Sequence, residues 1–346
     1  MREPMLWGPL RRILAGLLAL MAAPARADLQ PAFTAWLTNY RAHAIAQGLD
    51  PATVDQALTG LRYDPAVVAL DRSQPDDPAR PPLLGDYLAR RLTPARIERG
   101  RQEWRARAQD LARIEHRFGV PAPVLLGIWG METDYGRFTG RFDVLRSLAS
   151  LAFDGRRRAL FTAELDAALR LLAEGRVRRE DLRGSWAGAT GHPQFLPSSV
   201  LAHATDGDGD GRADIWNSVP DALASIARYL VANGWQPGLV WGVRVQVPEG
   251  FDRAAVADPE RPRSCVRPLE RHSRLLRADD WRRRGLTPVG VAWPPDDTEL
   301  SLVEPDGPGG PAFLASRNYR ALLAYNCSNF YALSVGLLAD AVVAAR

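Results

Sequence analysis

Lysine does not occur in this chain of 346 residues, so arginine carries all 44 fixed positive side chains. Genome base composition accounts for a bias of that kind. Cysteine is nearly as scarce: with only Cys265 and Cys327, the chain can form at most one internal disulfide. In an oxidising compartment that bond would close a long loop and stabilise by roughly 3–4 kcal/mol. Two separate buried thiols are the open alternative, because sequence does not show whether the Cα atoms approach closely enough. The apolar run near the start is too short to span a bilayer comfortably, so a retained membrane anchor is the weaker reading. The run "ILAGLLAL" follows the basic residues Arg2, Arg11 and Arg12 and precedes Ala25-Arg26-Ala27, a small-x-small cleavage site before Asp28. That is the layout of an export leader over residues 1–27. No cysteine follows the run, which argues against a lipid anchor, and the Arg11-Arg12 pair by itself does not assign twin-arginine export.

The mature chain also lacks an excess of charge. The whole sequence has 44 basic and 40 acidic residues, a net of +4, and losing Arg2, Arg11, Arg12, Arg26 and Glu3 with the leader brings these to 40 and 39. Nucleic-acid binding therefore has no compositional support. No internal repeat is visible. What remains is globular composition, 46% hydrophobic and 24% charged, with length for one large domain or two small ones.

Periodicity predicts a mainly helical body. "PAFTAWLTNYRAHAIAQG" has helical spacing and a stop at Gly48, and Asp50-Pro51 opens a second helix. Residues 73–85 are proline-rich and read as a connector. Helical pattern returns from about Pro94 to Phe118, Gly119 breaks it, and Pro121 opens another helix. Phe161, Leu165, Leu169 and Leu172 form a buried stripe over 157–173, as do Leu223, Ile226, Ala227 and Leu230 over 219–233. From about Val240 the texture turns to strand: "VWGVRVQVP" alternates, and "TELSLVEPDGPGGPAFLAS" reads as two strands around a Pro/Gly turn. Residues 317–346 return to helix.

Within "GIWGMETDYG", residues 127–136, Glu132 follows an almost wholly apolar run. On a helix over 121–134 it stands in the last turn above Ile128 and Trp129. Desolvation and the negative end of the helix dipole both raise its pKa, which suits a general acid such as those that cleave glycosidic bonds. A helix-end glutamate paired with Arg137 or Arg141 is the alternative. The segment "GSWAGATGHPQFLPSS", residues 184–199, lets backbone approach a ligand closely, with Ser185 and Gln194 offering hydrogen bonds to sugar hydroxyls or amides. Its alternative is a glycine-rich packing loop.

A third segment, "DGDGDGRADIWN" at 206–217, has the spacing of a calcium loop. Asp206, Asp208 and Asp210 stand at positions 1, 3 and 5, Arg212 offers its carbonyl at 7, and Asp214 stands at 9. Position 12 is Asn217 instead of the usual glutamate, so Asp221 is expected to supply the missing carboxylate. Otherwise Asp221 completes a capping box with Ser218. Clustered carboxylates repel without a cation, which points to structural calcium.

Together these segments resemble the lytic murein transglycosylases of the membrane-bound lytic transglycosylase B family, in a soluble form. "GVPAPVLLGIWGMETDYG" looks like the catalytic segment and "GSWAGATGHPQFLPSS" like the signature loop. "DGDGDGRADIWNSVPDALASIARYL" and "NYRALLAYNCSNFYALSVG" follow in the family's order. The resemblance implies an α+β, mainly α fold: a lysozyme-like helical core with a small antiparallel β-rich insertion. It divides the mature chain into an N-terminal helical region (28–98), a catalytic core (99–240), the insertion (241–316) and a closing helix (317–346). It also implies that Glu132 is the acid/base and that Ser185, Gln194, Tyr229, Tyr325 and Asn326 surround a saccharide cleft.

The expected reaction is cleavage of the bond between N-acetylmuramic acid and N-acetylglucosamine with formation of a 1,6-anhydro end. No catalytic cofactor is expected, and the expected setting is a monomer acting on glycan strands in a Gram-negative periplasm. Asp134, the nearest second carboxylate, points to another helix face and reads as structural. Tyr135 replaces a common tryptophan and His192-Pro193 an expected Tyr-Gly pair; both read as changes at the cleft edge. No glycan-binding module follows Arg346, so the cleft is expected to supply the affinity. A water-using lysozyme and a catalytically silent glycan-binding protein are the competing functions.

Overall fold

A computed structural model describes residues 28–74 and 83–343. The leader (1–27), most of the proline-rich connector (75–82) and the last three residues lie outside the described residues. Helix starts follow capping chemistry. Asp50, Asp64, Thr93, Asp143 and Ser218 each accept a backbone N–H at the head of Pro51–Leu58, Pro65–Arg72, Pro94–Ala106, Val144–Asp154 and Val219–Ala232. Proline within the first two positions pre-sets φ in four of these five helices.

The apolar stripes sort the helices into two cores. In the first, Phe33, Val54 and Val67 from the N-terminal helices meet Leu145, Leu148, Phe161, Leu165 and Leu169 from Val144–Asp154 and Arg158–Ala173. The expected 157–173 stripe is buried there, apart from a partly exposed Leu172. In the second, the Ala122–Thr133 helix lies among Ala108–Phe118, Val219–Ala232, Arg317–Tyr325 and Asn329–Val343. Leu223, Ile226, Ala227 and Leu230 all face this core. Each fully buried leucine contributes roughly 1.5–3 kcal/mol, so helix placement is set mainly by these faces.

Two expected helices are each broken in two. Residues 94–118 divide at Arg107, whose φ of −121° ends one helix and starts the next. Residues 317–343 divide between Tyr325 and Asn329 with a bend of 113°. No single helix among the described residues is long and apolar enough to cross a membrane, and this bent apolar pair lies largely within the second core.

The strands after Val240 form one antiparallel sheet in the order Leu276–Arg277, Glu299–Val303, Ala312–Ala315, Gly242–Gln246, Thr287–Pro288. Its own small core holds Val243, Val245, Leu300, Leu302, Leu314 and the buried Trp281. Cys265 and Cys327 are joined, with Cα atoms 5.4 Å apart. The disulfide ties the segment leading from the first sheet strand to the turn between the last two helices.

Candidate active site

Ten of the twelve residues of the Ala122–Thr133 helix are buried, and its one ionisable side chain, Glu132, is not among them. Gly127 lets the closing helix approach: a Cβ there would stand 2.7 Å from the Val335 carbonyl oxygen. That contact brings Tyr331, from the first turn of Asn329–Val343, over the end of the Glu132 helix. Its hydroxyl donates to Glu132 Oε1 at 2.6 Å. Burial raises the Glu132 pKa from 4.5 to about 7, against the lowering effects of the Tyr331 hydrogen bond and the Arg91 charge. Burial and the nearby Glu132 charge hold Tyr331 well above the usual phenol range, so it stays a donor.

The alternative pairing of Glu132 with Arg137 is not formed; Arg137 bonds Asp134 instead. Asp134 also accepts from Arg96 Nε at 3.2 Å and Arg99 Nη2 at 2.9 Å. Burial pushes its carboxyl up, but the hydrogen bonds and charges of Arg99 and Arg96 win, leaving it below the usual range. Asp134 and Tyr135 both have positive φ, 52° and 62°, and such left-handed non-glycine residues cost about 1–3 kcal/mol each.

Tyr135 is not a cleft-edge residue. It is 7% exposed, packs edge-on to Trp129 at 5.5 Å, and sits where a Cβ on Gly130 would stand 2.6 Å from its ring. The reversal of φ after Thr133 turns its ring back into the core. His192 is likewise tied to the helix: Trp129 Nε1 donates to its Nδ1 at 3.0 Å, and burial lowers its pKa.

The 184–199 loop and the closing helices share one wall. Tyr325 donates to the Pro193 carbonyl at 2.6 Å, and Tyr229 donates to the Ala324 carbonyl at 2.8 Å. Ring centroids of Phe195, Tyr229 and Tyr325 lie 4.9–5.7 Å apart. Tyr325 in turn stacks on Tyr331 at 6.4 Å and 12°, so Tyr229, Tyr325 and the loop are joined to Glu132 through Tyr331. The Gln194 amide nitrogen donates to the Thr139 and Gly191 carbonyls, both at 2.9 Å. Ser185 Oγ accepts from Ala189 N at 3.0 Å and so braces its own loop. Asn326 is exposed beside Tyr325.

The acidic loop brings together three of its five expected carboxylates. Carboxylate oxygens of Asp206, Asp208 and Asp210 lie within 4.8 Å of one another. Asp221 is outside that group. It is fully buried, its Oδ1 accepts from Gly207 N at 2.8 Å, and its Oδ2 accepts from Asp214 N at 2.7 Å. Backbone N–H groups of the loop hold that carboxylate from behind, and a carboxylate has further lone pairs beyond those they occupy. Only one arm of the alternative capping box forms, Asp221 N to Ser218 Oγ at 3.3 Å. The Asp214 carboxylate is engaged by Trp216 N, Asn217 N and the Asn217 amide, and Arg212 donates its N–H to Asp210. Asp206, Asp208, Asp210 and a carbonyl at Arg212 are an all-oxygen set that suits a hard divalent cation.

Against this geometry, the family described as Transglycosylase SLT domain matches residues 32–340. This chain belongs to that family. It is a lytic transglycosylase of peptidoglycan with a lysozyme-like, mainly helical fold. It is 31% identical over 307 residues to the membrane-bound lytic murein transglycosylase B of Escherichia coli, spanning 86% of this chain and 80% of that one. Its structure superposes on Pseudomonas aeruginosa SltB3 with a TM-score of 0.81 at 41% identity, covering 90% of this chain and 80% of SltB3. SltB3 is known in complex with NAG-anhNAM-pentapeptide and with NAG-NAM-pentapeptide. E. coli lytic transglycosylase Slt35, known in complex with calcium, matches with a TM-score of 0.71 at 26% identity, covering 89% of this chain and 92% of that one.

Tyr331 is the site residue in this transglycosylase that sequence reasoning did not single out. It lies inside the quoted "NFYALSVG", yet as one aromatic in an apolar helix it carried no polar signal. Arg96 and Arg99, which hold Asp134, lie in the 94–118 stretch, which the sequence marks only as helical.

Proposed function

We propose that Glu132 is the single acid/base of this transglycosylase. The supporting observation is a carboxyl raised to about 7 by burial with a tyrosine hydroxyl 2.6 Å away, while the one carboxylate two residues along is neutralised by arginines. Most glycosidases need two carboxyl groups, except where the substrate assists. Glu132 gives its proton to the glycosidic oxygen between N-acetylmuramic acid and N-acetylglucosamine, and the C1–O bond breaks. The 2-acetamido group stabilises the positive charge developing at C1. Glu132 then takes the proton of the muramoyl 6-hydroxyl as O6 bonds to C1, giving the 1,6-anhydro ring without consuming water. Tyr325 and Tyr229 supply apolar ring surface for a sugar face, Gln194 and Asn326 supply amide groups for its acetamido substituents, and Ser185 holds the loop that presents Gln194. Mass spectrometry of digested peptidoglycan tests the scheme: anhydro-muramic ends are expected, and reducing ends would make the chain a lysozyme.

Calcium is proposed as a structural ion on Asp206, Asp208, Asp210 and the Arg212 carbonyl. It would neutralise the three carboxylates and fix the loop ahead of Val219–Ala232, the helix that carries Tyr229. Calcium should raise the melting temperature according to its occupancy, and Asp206→Ala with Asp210→Ala should remove that rise. With its leader removed, the chain is proposed to work as a periplasmic monomer.

A further inference from the structure

We propose that His203 forms a further glycan subsite at the far end of the tyrosine wall, where its ring nitrogens bond a hydroxyl or acetamido group of a sugar beyond the pair that reacts. The assignment rests on the transglycosylase chemistry above and extends it along the strand. Direct contact between side chains carries the wall outward from the acid. Tyr331 donates to Glu132 at 2.6 Å, and Tyr325 stacks on Tyr331 with ring centroids 6.4 Å apart. Tyr229 meets Tyr325 at 4.9 Å, and His203 meets Tyr229 at 4.9 Å. Phe195 backs the outer three rings, with centroids 5.4–6.4 Å from each. His203 is therefore the third ring out from the one that touches Glu132.

The ring is held in place while its polar atoms stay open. His203 ends the short helix Pro197–His203 that follows Phe195 and Leu196 of the 184–199 loop. Glu164 fixes the head of that helix by accepting from Ser198 N at 2.9 Å and Ser198 Oγ at 2.7 Å. Thr205 fixes its tail: its Oγ1 donates to the His203 carbonyl at 2.8 Å, and its N–H donates to Ser225 Oγ, on the Tyr229 helix, at 2.9 Å. The His203 and Tyr229 rings cross at 70°, a favourable edge-to-face arrangement. The imidazole is partly exposed, and among the described residues the side-chain hydrogen bond at His203 reaches its carbonyl and neither ring nitrogen. Burial and the nearby Arg228 charge lower its pKa. At neutral pH the ring is then neutral, with one N–H donor and one acceptor.

The phenols nearer the acid are already committed. Tyr325 gives its hydroxyl proton to the Pro193 carbonyl and Tyr229 gives its own to the Ala324 carbonyl. Both therefore offer mainly ring surface, and His203 is the first side chain in the row beyond Tyr331 with a donor to spare. The substrate repeats the matching groups. Every sugar of a peptidoglycan strand carries an acetamido substituent and hydroxyl or ether oxygens, so a donor–acceptor pair placed past the reacting sugars meets the same chemistry again. A neutral imidazole bonds either kind of group without the cost of burying a charge.

The experiment compares two substrates with the mature chain: the shortest glycan strand it cleaves and a strand of eight sugars, both stripped of stems by an amidase. His203→Phe keeps a ring against Tyr229 and removes both nitrogens. The ratio of kcat/KM on the long to the short strand should fall about fivefold in the variant, mainly through KM, as expected for losing one hydrogen bond. A purely structural role would lower both values together, and a ratio equal to that of the parent chain would overturn the subsite. So would a parent chain that shows no preference for the longer strand. Should His203→Phe fold poorly, the His203 ring resonances of the Glu132→Gln chain can be followed by NMR as each strand is added. A larger shift with the longer strand supports the subsite, and equal shifts or none overturn it. If the parent chain releases no anhydro ends from either strand, the failure lies in the proposed chemistry of Glu132 and not in the His203 subsite.

Discussion

Glu132 and Asp134 stand two residues apart at the end of one helix, both largely withdrawn from water, and their acidities move in opposite directions. Glu132 meets a neutral hydroxyl and rises to about 7. Asp134, 6% exposed, meets three guanidinium groups and falls below the usual range. Burial acts upward on both, so partner charge decides. A neutral donor leaves enough desolvation uncompensated to keep a proton available, whereas full cations overwhelm it. The backbone makes the separation. Thr133 ends the helix, and the left-handed turn at Asp134 aims the second carboxylate at Arg96 and Arg99 on a neighbouring helix.

The largest effect should come from removing the proton carrier. Glu132→Gln keeps size and neutral hydrogen bonding but cannot give and recover a proton, so turnover should fall at least ~10³-fold. Release of anhydro-muropeptides measures this. A variant keeping a tenth of parental turnover would show that the acid is elsewhere.

Asp134→Asn tests the other side. It strands three arginines around an uncharged amide and should destabilise by on the order of 3 kcal/mol, as for other broken buried ion pairs. Urea unfolding at pH 7 reads the loss. Because the Asp134 pKa is depressed, its contribution exists above the ordinary carboxylate pKa and is lost as pH falls through the folded value, so the gap between variant and parent should shrink in acid. A gap independent of pH would mean that packing, not charge, holds Asp134.

Glu132 should show the reverse dependence. Its raised pKa contributes stability that is fully present below 4.5 and lost as pH rises through about 7. Glu132→Gln lacks this dependence, so above pH 7 the variant should gain stability relative to the parent. The gain should be on the order of 2 kcal/mol after allowing for partial solvent access. Parallel stability curves from pH 4.5 to 8 would remove burial as the cause of the raised pKa.

These contrasts also mark what was legible from sequence. Glu132 was, because an ionisable residue at the end of an apolar run has few inexpensive explanations. The stripes at 157–173 and 219–233 were, because their period names the buried face. The breaks at Arg107 and after Tyr325 were not, since neither carries a proline or glycine and tertiary packing sets the bends. Tyr135 was misplaced because sequence order puts it beside the acid, while two consecutive positive φ values turn it into the core. Loop spacing makes Asp221 a candidate ligand but does not show the N–H bonds from Gly207 and Asp214 that its carboxylate accepts. Tyr331 depends on a contact spanning 199 residues, and no local pattern records it.

The smallest expected effect isolates that contact. Tyr331→Phe keeps the buried ring and removes the hydroxyl, at about 1 kcal/mol of stability for one lost hydrogen bond. The hydroxyl favours the ionised form of Glu132, so without it the pKa should rise further above about 7. The alkaline limb of kcat/KM, which requires protonated Glu132, should then move upward by about one pH unit, since ~1.4 kcal/mol corresponds to one pKa unit. Turnover on the plateau should fall only severalfold, because the acid remains but is less firmly oriented. An alkaline limb that stays in place would show that Tyr331 orients Glu132 without setting its acidity. A limb that moves down would reverse the role assigned to the bond and leave the Arg91 charge as the stronger influence on Glu132.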